Sequence, residues 1–456
     1  MSLNKNKNIF LPAINNKKYL KMKKQNFIYL SLLSFALIIS SCSKDSPTPN
    51  PTNLDCNGVE NGTSLTDDCG DCQQAYIYNM TSHEVTLLDD TAGVVLSSPT
   101  DMIIMPDNPM NPYWNTGCIV APETYYFEVM GPMGPANTVS YSGQTTRLMM
   151  AKQLTDALKN GTHDLSQLVQ MWTTGTGFAD GLDNSSKILR SKTSASATAS
   201  ATVQVQLDEL LETYSNEVLA NWSGNASAGV GGEYTTPART VHIDNKGREI
   251  DQCFAKSLIG ALCFDQTSNK YTDVAYQAGL DNTDRDPAED NNATEMEHKW
   301  DEGFGYIYGM IEGNTTGDLS TDALLGKYLN KFPEKIPVVW DAFKLGRAAI
   351  VGGDYIIRDE QAAIIAENLD KIIAQKAIDY LSGAVTTLSN GGEREDTFHG
   401  LSEGYGFVLS LQYTSYFTNS EVTSMLNQMM EGDGFWDITP DELNTMVAQI
   451  QTASGL

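Results

Sequence analysis

The sequence predicts an all-α domain over residues 137–456, preceded by a small Cys-containing irregular and β segment over residues 54–136. Three observations carry that expectation. From Ser140 onward apolar residues recur at helical spacing in one segment after another. Before about Glu128, short runs rich in β-branched and aromatic residues alternate with Gly, Pro, Asn and Asp clusters. The pattern His-x-x-x-Glu-Gly-aromatic-Gly-aromatic is written twice, at 298–306 and 399–407, which adds an internal pseudo-twofold relating paired helical bundles.

The N-terminal residues stand apart from this fold. Lys5, Lys7, Lys17, Lys18, Lys21, Lys23 and Lys24 precede an apolar run over 27–39, and Ile39-Ser40-Ser41-Cys42 then forms a small-residue site ending in cysteine. Residues 1–41 read as a lipoprotein signal peptide, Cys42 as the lipidated residue and 42–53, with Pro47 and Pro49, as a tether. The apolar run is too short for a spanning helix, which needs about 20 residues. The expected location is the bacterial cell envelope, at the outer membrane or the cell surface, with the membrane as partner through the lipid. An ordinary cleaved signal with an incidental cysteine is the alternative.

The chain carries 30 Lys and Arg against 57 Asp and Glu, a net charge of −27. All seven lysines named above would leave with the signal, and no acid would, so the processed protein is more negative still. Such a surface repels nucleic acid and anionic headgroups and tolerates cations. The sequence names no protein partner.

Within 54–136, YIYN, EVTLLDD and GVVLSS read as short strands between turns. Cys56, Cys69, Cys72 and Cys118 are disulfide candidates in an exported protein, with three possible pairings that sequence does not rank. The Cys69-Gly70-Asp71-Cys72 spacing also suits zinc, and Asp55, Asp67, Asp68 and Asp71 suit calcium, a cation that prefers oxygen ligands.

The helical part divides into about ten helices: 144–159, 203–222, 248–264, 294–309, 321–332, 337–351, 355–388, 397–417, 421–430 and 440–453. Asn160-Gly161 stops the first, and Thr439 with Pro440 starts the last. Cys253 and Cys263 fall on one helix about 15 Å apart, too far for a disulfide, and read as buried thiols. The acidic loop Asp281, Asp284, Asp286, Glu289, Asp290 lacks the EF-hand spacing and reads as solvated.

The echoed pattern carries the chemistry. Positions four apart share a helix face, so His298 lies beside Glu302 and His399 beside Glu403. Two glycines per copy cost a helix about 1 kcal/mol each against alanine, and close approach of another backbone is the usual compensation. Crossing of the two helices at those glycines would bring His298, Glu302, His399 and Glu403 into one centre suited to iron, zinc or another divalent metal. The alternative is that each His-Glu pair only satisfies buried polar atoms where helices pack.

Val139-Ser140-Tyr141-Ser142-Gly143-Gln144-Thr145, Met296-Glu297-His298-Lys299-Trp300-Asp301-Glu302-Gly303-Phe304-Gly305-Tyr306, Lys344-Leu345-Gly346-Arg347-Ala348-Ala349-Ile350 and His399-x-x-Ser402-Glu403 resemble an uncharacterised family of bacterial helical lipoproteins. The resemblance covers roughly residues 137–456. That family is similar to the imelysins, exported proteins with paired helical bundles and a Gly-x-His-x-x-Glu motif, associated with iron uptake and also described as peptidase-like. The resemblance implies an imelysin-like fold; Asp301 and Arg347 are the candidates to stand behind the four site residues. His298 matches the motif histidine, whereas Met296 replaces the glycine and Asp301 stands at the glutamate position with Glu302 one beyond.

No zincin run, nucleophile elbow or phosphate loop is present in the sequence, and no catalytic residue is assigned. The expected function is therefore a membrane-anchored lipoprotein binding a divalent metal or another small ligand, in iron or metal acquisition. A non-catalytic structural or interaction lipoprotein is the first alternative, and a metallopeptidase-like hydrolase the lesser one.

Overall fold

The computed structural model describes residues 54–456 apart from 68, 71, 82–84, 109–110, 112–117, 132–133, 198–199, 238 and 286–291. The expected leader, Cys42 and its tether lie outside the described residues. So do Asp68 and Asp71 of the calcium set and Asp286, Glu289 and Asp290 of the acidic loop.

The chain divides into two compact units. The described part of the first spans 54–65 and Gln74–Met105 and carries a three-stranded antiparallel sheet. Strands β1 (Ala75–Asn79), β2 (Val85–Leu88) and β3 (Asp101–Ile104) run in the order β2-β1-β3, with Ala75 opposite Leu88 and Tyr76 opposite Ile104. Buried Ala75, Tyr76 and Ile104 form its apolar centre. The first two strands coincide with YIYN and EVTLLDD. GVVLSS is not a strand: the Asp101 carboxylate accepts from the Ser98 amide at 2.9 Å and the Ser97 hydroxyl at 3.1 Å, turning that run towards β3. Asp55 is occupied likewise, accepting from the amides of Asn57, Val59 and Ser64 at 2.9–3.0 Å.

The second unit, Thr66–Gln73 with Pro106–Leu456, is helical. Its helices are α1 (Ser142–Asn160), α2 (Leu165–Thr174), α3 (Leu189–Lys192), α4 (Ser200–Thr213), α5 (Ile250–Leu258), α6 (Val274–Gln277) and α7 (Glu295–Tyr308). There follow α8 (Leu324–Leu329), α9 (Ile336–Gly352), α10 (Tyr355–Ser389), α11 (Phe398–Ser410), α12 (Asn419–Met429) and α13 (Pro440–Ser454). Two hairpins accompany them, β4 (Glu128–Gly131) with β5 (Gly134–Asn137), and β6 (Gly232–Thr235) with β7 (Thr240–Ile243). All four cysteines of the N-terminal segment are disulfide-bonded, Cys69 with Cys118 across a Cα separation of 4.9 Å. Asp67 accepts from the Cys69 amide and the Gln73 side chain, both at 2.9 Å. Cys253 and Cys263 are free and buried.

The 35-residue α10 is the spine, roughly 50 Å long at 1.5 Å per residue. Asp354 starts it by accepting from the amides of Ile356 and Ile357 at 3.1 Å. Its buried Ile365, Leu369, Ile372, Ile373 and Leu381 face α9, α11 and α13. The 203–222 and 248–264 segments are not single regular helices. Each changes pitch, into π-helical turns at Tyr214–Val218 and Ile259–Phe264, with a third at Thr267–Tyr271. Helix α2 is not among the ten helices that the apolar spacing predicts. A reciprocal cap between Asp164 and Gln167, at 2.9 Å each way, defines its start.

The echoed glycines seat helix against helix. A Cβ on Gly305 would come within 2.9 Å of Gln144 Cβ on α1, and one on Gly406 within 2.7 Å of the Ser257 amide on α5. At Gly260, in the π-helical turn that follows α5, the Ser410 hydroxyl accepts from the amide at 3.0 Å, extending the packing against α11. Gly305→Ala and Gly406→Ala are each expected to cost roughly 1–3 kcal/mol by overpacking. Gly400→Ala, whose Cβ would meet nothing within 4 Å, is expected to be neutral or to stabilise by up to ~1 kcal/mol. Urea unfolding of the three variants checks this ordering.

Candidate functional site

The four site residues do not share one centre. Helix α7 packs on α1, α8 and α9, whereas α11 packs on α5, α10 and α12, so each glycine seam binds its helix to a different partner. Among the described residues no group of three or more His, Cys, Asp or Glu is placed to hold a metal ion. The expected crossing of the two echo helices is thereby corrected: the glycines admit α1 and α5 rather than one another.

The first copy is closed. Thr294 and Glu297 form the capping box of α7, at 3.2 and 2.9 Å. His298 Nε2 lies 3.1 Å from Glu302 Oε1, and Lys299 Nζ lies 3.1 Å from the same oxygen. Burial would raise the Glu302 carboxyl, but the hydrogen bond from His298, the charge of Lys299 and the Tyr271 hydroxyl together hold it down to about 2. Asp301 and Arg347, expected behind the site, belong instead to a buried ion network. Arg347 Nε donates to Asp301 Oδ1 at 3.1 Å, and its Nη1 lies 3.2 Å from Glu297, which Arg285 also holds at 2.6 and 2.9 Å. The Tyr125 hydroxyl donates to Asp301 at 2.7 Å while its ring stacks on Phe304 at 3.8 Å. Burial pushes Asp301 up to about 6 despite Arg347. This network joins α7, α9 and the 122–138 segment.

The second copy is open. His399 Nδ1 lies 2.8 Å from Glu249 Oε2, while Nε2 is 3.8 Å from Glu403 Oε2. A carboxylate only accepts, so Nδ1 carries the proton donated to Glu249. Glu249 stands at the N-cap of α5 and takes the imidazole away from its own i+4 partner. Glu403 turns to Lys256 at 3.2 Å and the Tyr328 hydroxyl at 3.4 Å. Against its burial, Lys256 and His399 hold Glu403 below the ordinary carboxylate range. Asp251, in the first turn of α5, moves the other way: burial, then the charge of Glu249, pushes it up to about 6.

Two cavities of about 390 and 520 Å³ meet at these residues and share Lys159, Asp251, Gln252 and His399. Glu249, His242 and Tyr214 line the smaller; Glu403, Tyr328, Lys256 and Asp322 line the larger. His298 and Glu302 line neither. The β6–β7 hairpin supplies His242, whose ring stacks on Trp222 at 3.5 Å and whose basicity burial lowers. Two π-helical turns begin at wall residues, Tyr214 and Ile259, an irregularity that recurs at functional sites.

His399 and Glu403 were legible from the echo. Glu249, Asp251 and Asp322 were not, because acids near helix starts have an ordinary role there. The hairpin carrying His242 lacks a strong turn signal in the sequence.

The Glu302 pairing has a pH signature. Its folded value lies below the ordinary 4.5, so its stabilisation is complete above that pH and is lost as pH falls towards 2. Glu302→Gln is expected to cost on the order of 2 kcal/mol at pH 7 and to flatten the stability profile between 4.5 and 2, read by urea unfolding at stepped pH.

Residues 122–456 match a family described as a domain of unknown function (DUF4856). No curated protein and no solved structure matches the chain.

Proposed function

The chain belongs to this family of unknown function, DUF4856, and from that premise we propose that it is an exported, lipid-anchored binding protein whose small-ligand site is the His399 cleft. The observation that carries the reading is the asymmetry of the two copies. His298 is closed on Glu302, whereas His399 presents Nε2 beside two joined cavities that hold further titratable groups. A cleft of this size with a few convergent polar groups is the usual setting of a small-molecule site.

Metal capture, the other form of the expectation, loses its support with the separation of the donors. The packing alternative describes the first copy well and leaves the second unexplained. The imelysin-like pairing of bundles draws support from the equivalent glycine seams, α7 on α1 and α11 on α5. Export and anchoring rest on the lysine-rich start, the apolar run and Ser40-Ser41-Cys42.

Thermal-shift screening against a library of polar metabolites tests the site. Compounds that stabilise the wild type are expected to lose their effect in His399→Ala and to keep it in His298→Ala. The second variant is expected to lose about 1.5–3 kcal/mol of stability with its charged hydrogen bond. The reading fails if no compound acts, or if His399→Ala responds like wild type. Anchoring is tested by Cys42→Ser in a bacterial expression host: labelled palmitate enters the wild type and not the variant. Equal incorporation, or none in either, removes the anchor.

A further inference from the structure

Each of the two cavities at His399 is lined by a buried acid, one oxygen of which has no hydrogen-bond partner in the protein. In the smaller it is Oε1 of Glu249, a residue 5% exposed, and in the larger Oδ2 of Asp322, 7% exposed. The other oxygen of each is used, by His399 at 2.8 Å and by the Met310 amide at 3.1 Å. A buried carboxylate oxygen without a donor carries a desolvation cost that a bound donor removes, and a cationic donor removes most of it.

The cations of the cleft do not meet that need. Lys256 is held by Glu403 at 3.2 Å and Lys152 by Asp156 at 2.6 Å. Lys159, Lys327 and Arg239 stand exposed on the rim, where solvent screens them. The floor is thus acidic and buried, while the balancing charge lies at the edge. Burial, with the neighbouring charge of Asp318, pushes Asp322 up to about 7, consistent with a carboxyl that lacks a counter-ion. A net charge of −27 steers cations towards the protein over long range.

We propose that the ligand of this cleft is an organic polycation of the aliphatic diamine or polyamine class, with one ammonium on Glu249 and another on Asp322. The proposal rests on the cleft being a ligand site. It selects against uncharged polyols, which supply donors without charge, and against anions, which the floor repels. Asp251, which lines both cavities, adds a third carboxyl.

The test is calorimetric titration of the full chain with 1,6-diaminohexane, spermidine and hexane-1,6-diol, the diol matching the diamine in length without its charge. Both amines are expected to bind and the diol not to. Glu249→Gln and Asp322→Asn are each expected to weaken the amines at least tenfold, the double variant to abolish binding. Ala255→Lys places an ammonium at a half-buried lining position without removing an acid, and is expected to compete with the amines even if an acid variant misfolds. Circular dichroism and melting curves establish that each variant is folded. Failure of the amines to bind, a diol as tight as the diamine, or equal amine affinity in wild type and folded variants overturns the inference. If the metabolite screen meanwhile returns neutral or anionic compounds that depend on His399, the cleft remains a site and only the ligand class is wrong.

Discussion

Close approach of helix backbones at glycine is the constraint on which the second unit depends. Gly305 admits α1 to α7, and Gly406 admits α5 to α11. Either seam with a Cβ in it would push apart helices whose side chains are already packed on both flanks, since protein interiors yield little to added volume. The intrinsic penalty of glycine in a helix is about 1 kcal/mol, and close packing along each seam offsets it. Once the seams are formed, the rest of the echo has little freedom: His298 and Glu302 project on one side of α7, and His399 and Glu403 on the matching side of α11.

The fate of each copy is decided by its neighbours. At α7 a lysine and a tyrosine surround Glu302, and its own histidine satisfies it, so the pair is sealed. At α11 the partner helix begins with Glu249, and a carboxylate at 2.8 Å wins the imidazole from one at 3.8 Å. Glu403, released, takes Lys256 from the same partner helix. The duplication thus yields one pair that fastens helices and one that faces a cleft. The same buried setting that drives Glu302 and Glu403 down, where cations are near, drives Asp251 and Asp322 up, where none is paired. Buried acids of the second kind destabilise the fold and are retained at sites more often than in cores.

The ion network at Arg347 has a different character. Arg347, Asp301 and Glu297 are removed from solvent and tie α7 to α9, with Tyr125 fastening the pre-helical segment. His298 and Asp301 share helix α7, and Arg347 reaches Asp301 from α9. Their role as a strut depends on Tyr125, which lies 176 positions away and has no local signature.

Local chemistry in the sequence determined the helical character of residues 137–456, the limits of the long α10, the capped starts of α7 and α13, and the placing of both echoed motifs on helices. These properties depend on periodicity, caps and glycine, which act within a few turns of chain. Only the tertiary structure decided which helices the glycines would admit, which carboxylate each imidazole would face, and therefore that one copy closes while the other opens on a cleft. Those outcomes turn on differences of about an ångström between competing partners far apart in the chain, and no pattern along a single helix encodes them.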